Sequence, residues 1–330
     1  MQSGSPFWIK LLLGLVVLVL AGVAALYTLG AAATSRWEEY AASLRAKGQP
    51  LIFEEIEAQR AVISDDQNSA LIIARLADRF KELGDPHPDS AVIIFGSRKG
   101  NDGFFEGIGR TRIEASRQFI EQHRHLLAEL ELMRDRPTGR FEINYDKSNP
   151  IATLLPDLAH LRAAAKVTRL EGILHLIDNR PERAVGNFVL QCRIANTLFD
   201  EPMLISRLVQ IAIEAQACQT VEDVFRVGQV DDRTVAAIAD ELAAFKNNGT
   251  MRWALFGERA FFIETCEAMM AGRLPLSSVE TGDYGQSDVD PLRALRRLPA
   301  FLARSNERTG AEMYTWLVDA ADDHDKMRAA

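Results

Sequence analysis

The sequence predicts an all-α protein: an irregular helical bundle with one tetratricopeptide (TPR)-like hairpin, set behind an N-terminal transmembrane helix. Three observations carry that reading. An uncharged apolar run fills Leu11–Ala33, apolar residues elsewhere recur at helical spacing, and the helix-like stretches are separated by connectors rich in Gly, Pro and Asp. At 330 residues the chain is long enough to bury a sizeable core.

Residues 1–10 read as a short tail. The run that follows, LLLGLVVLVLAGVAALYTLGAAA, spans the roughly 30 Å hydrocarbon layer at about 1.5 Å per helical residue. Lys10 and Arg36 bracket it, and Trp8, Tyr27 and Trp37 lie near its ends, where amphipathic rings favour the headgroup zone. Ala31 and Ala33 supply an A-x-A cleavage pattern, but the apolar run exceeds the roughly 7–15 residues of a signal peptide's apolar h-region. An uncleaved single-pass anchor is therefore expected. Residues 34–62 read as a juxtamembrane helix, SRWEEYAASLRAKG, stopped by Gly48 and followed by a linker.

Residues 63–330 read as one all-α domain with loop insertions near 84–110 and 273–290. In SDDQNSALIIARLADRFKELG, Ser64 and Gln67 have capping-box spacing, and Gly84 ends the helix with Lys81 in its last turn. Leu71, Ile72, Leu76, Phe80 and Leu83 form its expected buried stripe. The first insertion lacks the G-x-x-x-x-G-K-[ST] spacing of a phosphate loop. The apolar run before Gly96 invites a strand, and Gly107 and Gly109 begin a G-x-G, but Arg112 stands where the third glycine belongs, so a long surface loop with at most one short extended piece is expected.

Helices are then expected over Ile113–Arg134 and, after the connector FEINYDKSNP, from Pro156 and Asp157 to about Asp178. Arg183–Phe199, Pro202–Val227, Asp232–Asn248 and Thr250–Met270 follow, the last two stopped by Gly249 and Gly272. The final helices are expected over Pro291–Arg304 and Thr309–Arg328.

The hairpin Gly172–Phe188, GILHLIDNRPERAVGNF, places Gly172, Ala184 and Phe188 at TPR-compatible offsets, with His175 where an aromatic is usual. One 34-residue period onward, Cys218 and Glu222 replace Ala184 and Phe188; one period back lie Thr138 and Pro150, in a connector. A solenoid needs at least about three stacked units, so this reads as a single hairpin.

Charge and chemistry narrow the function by exclusion. The formal net charge is −8, and because Lys10 is the only charged side chain before Arg36, the acidity belongs to the region after the span. An acidic domain repels a phosphate backbone, so nucleic acid is not an expected partner. Cys192, Cys218 and Cys266 lack zinc spacing and read as small buried apolar residues. His123 and His125, two apart on one helix, are expected on opposite faces, unable to share a metal. No metal or cofactor is expected.

Asp157 and His160 share a helix face at i, i+3, where a carboxylate can orient an imidazole. Asp157 also suits the first helical turn electrostatically, and no nucleophile motif accompanies the pair. In PLRALRRLPAFLAR, Leu292, Leu295, Leu298 and Leu302 lie apart from Arg293, Arg296, Arg297 and Arg304. That pattern reads as a docked amphipathic helix, with Asp319, Asp322, Asp323 and Asp325 as possible internal counter-charges. Lipid or protein contact is the other reading.

The layout resembles a family of membrane-anchored helical proteins of planctomycete bacteria. The residues that carry the resemblance are the N-terminal span, Lys47–Phe80 with its Pro-Leu-x-x-x-Glu lead, and Pro156–Ala215. Longer members continue into a Gly-x-[Tyr/Trp]-Pro-x-x-Leu segment that this sequence does not contain. The resemblance implies a cell-envelope protein and assigns no catalytic residue. Basic residues lean toward a cytoplasmic C-terminal domain, since Arg36, Arg45 and Lys47 follow the span while Lys10 and the terminal amine precede it. The resemblance implies the exported side.

The leading expectation is an anchored interaction or scaffolding protein, with the Gly172–Phe188 hairpin and the basic stripe around Arg296 as contact surfaces for a protein partner. The alternative is an envelope hydrolase or transferase whose site gathers Asp157, His160 and His175 from the helices.

Overall fold

A computed structural model describes residues 7–83, 108–153, 155–227, 230–245, 251–274 and 300–329. Among these residues the fold is all-α, with one isolated parallel bridge, Asn68 to Thr138, as the only extended pairing. The chain forms two compact units: residues 1–58, 145–153 and 256–319 make the first, and 59–144, 154–255 and 320–330 the second. This partition differs from a break at residue 62, because residues 34–58 pack into a core of their own unit and do not run as a linker.

The first unit is entered by α1, Phe7–Ala46, a single helix of 40 residues and thus about 60 Å long. It is long and apolar enough to cross a membrane, and from Leu11 to Leu29 its large apolar side chains are exposed, Leu18 at 73%. Its last turns behave oppositely. Trp37, Ala41 and Leu44, at i, i+4 and i+7, are buried with Leu51, Ile263 and Ala311. Trp37 is therefore a core residue at 7% exposure, not the headgroup ring expected from its distance to the apolar run. The helix stops as expected at Gly48, which takes φ +72°.

The segment after that stop is pinned by side chains. Arg259, fully buried on α11 (Met251–Met270), donates to Gln49 Oε1 at 2.8 Å and to the Pro50 carbonyl at 2.9 Å. It also donates to Thr315 Oγ1 at 3.1 Å, on α12 (Ala300–Ala329), while its guanidinium lies 4.9 Å from the Phe256 ring centroid. The short α2, Phe53–Glu57, stacks Phe53 on Tyr145 and gives its first N–H to Glu264 at 2.8 Å. Unlike the two final helices expected, α12 is continuous through Ser305–Thr309. Of the basic stripe, residues 291–299 lie outside the described residues, and Arg304 pairs with Glu267 and Glu307 at 2.6 and 2.7 Å; of its expected acidic counter-charges, the side chains of Asp322, Asp323 and Asp325 lie outside the described ones.

The second unit begins with α3 (Ala70–Arg75) and α4 (Ala77–Leu83), which replace one expected helix. The Ser64 capping box does not form. Ser64 and Gln67 close a backbone turn instead, and the helix starts six residues later. The competing interactions are tertiary: Ser69 gives its N–H and its hydroxyl to the Thr138 carbonyl, and Asn68 Oδ1 accepts from Ala70 and Arg140. The expected stripe is otherwise kept: Ile72, Leu76 and Phe80 are buried and Leu83 packs against the same core, while Ile73 is buried where Leu71 faces out.

A second break, at His123, splits the helix expected over Ile113–Arg134 into α5 (Arg110–Gln122) and α6 (Arg124–Glu131), followed by a 3₁₀ turn. The remaining core is built by α7 (Asp157–Ile177), α8 (Pro181–Asn196) and α9 (Leu204–Val227), each packed on the other two, with α10 (Asp232–Phe245) against α8. The stop expected at Gly249 lies outside the described residues. α9 packs on both arms of the α7–α8 hairpin, and the three helices form a compact core.

Candidate functional site

The α7–α8 hairpin forms as expected. Gly172 faces Asn187, whose Cβ would stand 3.3 Å from a Cβ at position 172, and Ala184 and Phe188 are fully buried. The reversal runs through Asp178–Arg180, with Asn179 in the left-handed region at φ 55° and Arg180 N–H bonded to the His175 carbonyl at 2.8 Å. Asparagine tolerates that conformation better than most residues, so the local sequence DNRP sets the turn.

Beside this turn α5, α6, α7 and α8 enclose a half-open cleft of about 640 Å³. Its floor is Ile120, Leu127 and Leu174, and its rim carries Arg117, Arg124, Arg180 and Arg183. Asp178 accepts both terminal nitrogens of Arg117, and Glu121 accepts a two-pronged contact from Arg124. Each pairing holds its carboxyl below the ordinary range. Burial instead pushes Glu171 up, even though it accepts 2.7 Å from Asn187 Nδ2. His175, half-buried in the same wall, is pushed down by burial and by the Arg183 and Arg180 cations, which favours its neutral form at pH 7.

The other sequence candidates are placed elsewhere. His160 Nδ1 lies 3.5 Å from Asp157 Oδ1, confirming that they share a face, and the imidazole stacks on Phe80. His175 is fifteen residues further along α7, about 22 Å by helical rise, so Asp157, His160 and His175 do not converge. His123 and His125 both line one groove of about 690 Å³ between α3–α4 and α5–α6. His123 Nδ1 is engaged with the Phe119 carbonyl at 2.8 Å. No group of three or more His, Cys, Asp or Glu side chains suited to a metal occurs among the described residues.

Cys192 and Cys266 are buried and Cys218 is partly so; all three are unbridged, and burial pushes the Cys266 thiol up to about 12. Such thiols are poor nucleophiles. The phosphate-loop region, apart from Ile108, Gly109 and Arg110, lies outside the described residues.

Sequence reading missed the polar interior of the three-helix core. Arg169 donates to Asp223 Oδ2 at 2.6 Å and to Thr220 Oγ1 at 2.8 Å, and the Thr220 hydroxyl donates to Gln191 Oε1 at 2.7 Å. All four are at most 4% exposed. A signal exists in the sequence: Arg169 falls in register between the apolar Ala165 and Ile173, one turn on either side. A second buried set joins Arg60 to Asp200 at 3.1 Å and Ser206 to Glu201 at 2.6 Å. Burial pushes Glu201 up to about 7, outweighing the Ser206 hydrogen bond and the Arg60 charge.

No known protein family, curated protein or solved structure matches this chain.

Proposed function

We propose that the protein is a membrane-anchored helical interaction or scaffolding protein of the bacterial cell envelope, with its folded units on the exported side. One observation carries this reading. In α1 the apolar half is exposed on every side, while the last turns of the same unbroken helix are buried in the first unit. Exposed apolar surface of that length is costly in water and favourable in lipid, and a continuous helix transmits the position of the embedded half directly to the fold. The resemblance to planctomycete envelope proteins supports the exported orientation.

A signal sequence near the N-terminus also presents an exposed apolar helix, so the test separates cleavage from anchoring. Full-length chain is expected to keep its N-terminus, to stay in the membrane pellet after alkaline extraction, and to be digested by protease added to spheroplasts. Leu18→Arg with Val19→Arg, costing roughly 2.5–3.5 kcal/mol each at a bilayer centre, is expected to move it to the soluble fraction. A mature chain beginning after Ala33 would replace the anchor with a signal sequence, and protection from protease would reverse the orientation.

A further inference from the structure

The cleft between α5–α6 and the α7–α8 turn carries more cationic charge than its own carboxylates neutralise. Arg117 and Arg124 are each engaged by a carboxylate in the wall, whereas Arg180 reaches only the already paired Asp178, at 3.7 Å. Arg183 has no side-chain hydrogen bond or ion pair among the described residues, and both of these arginines are exposed. Glu171, the one remaining carboxylate, is turned inward onto Asn187. One guanidinium without a partner among the described residues, Arg183, and one held only by a 3.7 Å ion pair to a shared carboxylate, Arg180, therefore stand at the rim of a cavity with a floor of aliphatic side chains, beside an imidazole.

We infer that this cleft binds a small organic oxyanion, a carboxylate or phosphate group held by Arg180 and Arg183 with its apolar part on Ile120, Leu127 and Leu174. Planar forks match such oxyanions in two-pronged geometry. A neutral His175 adds a hydrogen bond without a competing charge requirement. The volume lies in the few-hundred to one-thousand Å³ range of small-molecule pockets. Arg117–Asp178 ties α5 to the α7–α8 turn beside the site. The inference concerns the second unit alone and stands apart from the anchor reading.

The test is calorimetric titration of the detergent-solubilised full chain with phenyl phosphate, benzoate and, as the uncharged control of similar size, benzyl alcohol. Both anions are expected to bind and the alcohol not to; the tighter of the two anions assigns the headgroup. Arg180→Gln and Arg183→Gln, both at exposed positions, are expected to weaken binding about tenfold each, while Arg308→Gln on α12 leaves it unchanged. Equal binding of the alcohol, unchanged affinity in both cleft variants, or no binding by either anion would overturn the inference.

Discussion

At the scale of single residues, the interior of the second unit is held by a charge that is expensive to bury and more expensive to orphan. Arg169 and Asp223 are a hydrogen-bonded pair inside the α7–α8–α9 core, with Thr220 and Gln191 satisfying further donors and acceptors. Removing one partner leaves an uncompensated buried charge, a loss of about 3–5 kcal/mol, whereas replacing both by apolar groups of similar volume is often neutral. Arg169→Met is accordingly expected to lower the thermal midpoint of the full chain sharply. Adding Asp223→Leu to it should recover much of that loss. Thermal denaturation followed by circular dichroism distinguishes this from a pair that contributes nothing, for which the single and double variants would melt alike. The pair was legible only as an oddity of register, because a sequence places Arg169 on an apolar face without showing which helix brings its counter-charge.

At the scale of elements, helix identity was legible and helix continuity was not. The two breaks in the second unit carry no proline or glycine. At Leu76 the N–H is shared between the Ile72 and Ile73 carbonyls, and at His123 between those of Phe119 and Ile120. Both are local tightenings of the 3₁₀ kind, imposed by packing on a sequence with ordinary helical preferences. The opposite case is α12, which runs through Gly310 unbroken. A Cβ there would lie 2.2 Å from Phe262 Cε1, so the glycine lets α12 approach that ring closely and its helix cost of roughly 1 kcal/mol is offset by contact. Gly310→Ala should therefore destabilise the first unit by about 1–3 kcal/mol through overpacking, measured as a lower unfolding midpoint. A rise in that midpoint, the usual result at an open helical glycine, would show the close contact to be absent.

At the scale of the whole molecule, stability should fall as pH rises across neutrality, since each unit buries a carboxyl whose proton the fold retains. Burial pushes Glu201 up to about 7 and Glu307 up to about 7, the latter against the opposing pull of Arg304. A carboxyl with a raised folded pKa contributes stability that is fully present below its unfolded value, near 4.5, and lost as pH rises through about 7. Each shift corresponds to roughly 3 kcal/mol. Unfolding midpoints of the full chain are expected to be higher at pH 5 than at pH 8, and Glu201→Gln with Glu307→Gln should flatten that difference. A midpoint rising with pH would contradict it. By itself the sequence determined what depends on neighbours along the chain: the all-α class, the apolar span, the Gly48 stop and the α7–α8 turn at DNRP, because period, composition and turn chemistry are local. Tertiary structure alone decided the two units, the burial of Trp37, the helix breaks, the Arg169–Asp223 pair and the arginine-rimmed cleft, because each depends on side chains that meet across tens or hundreds of residues.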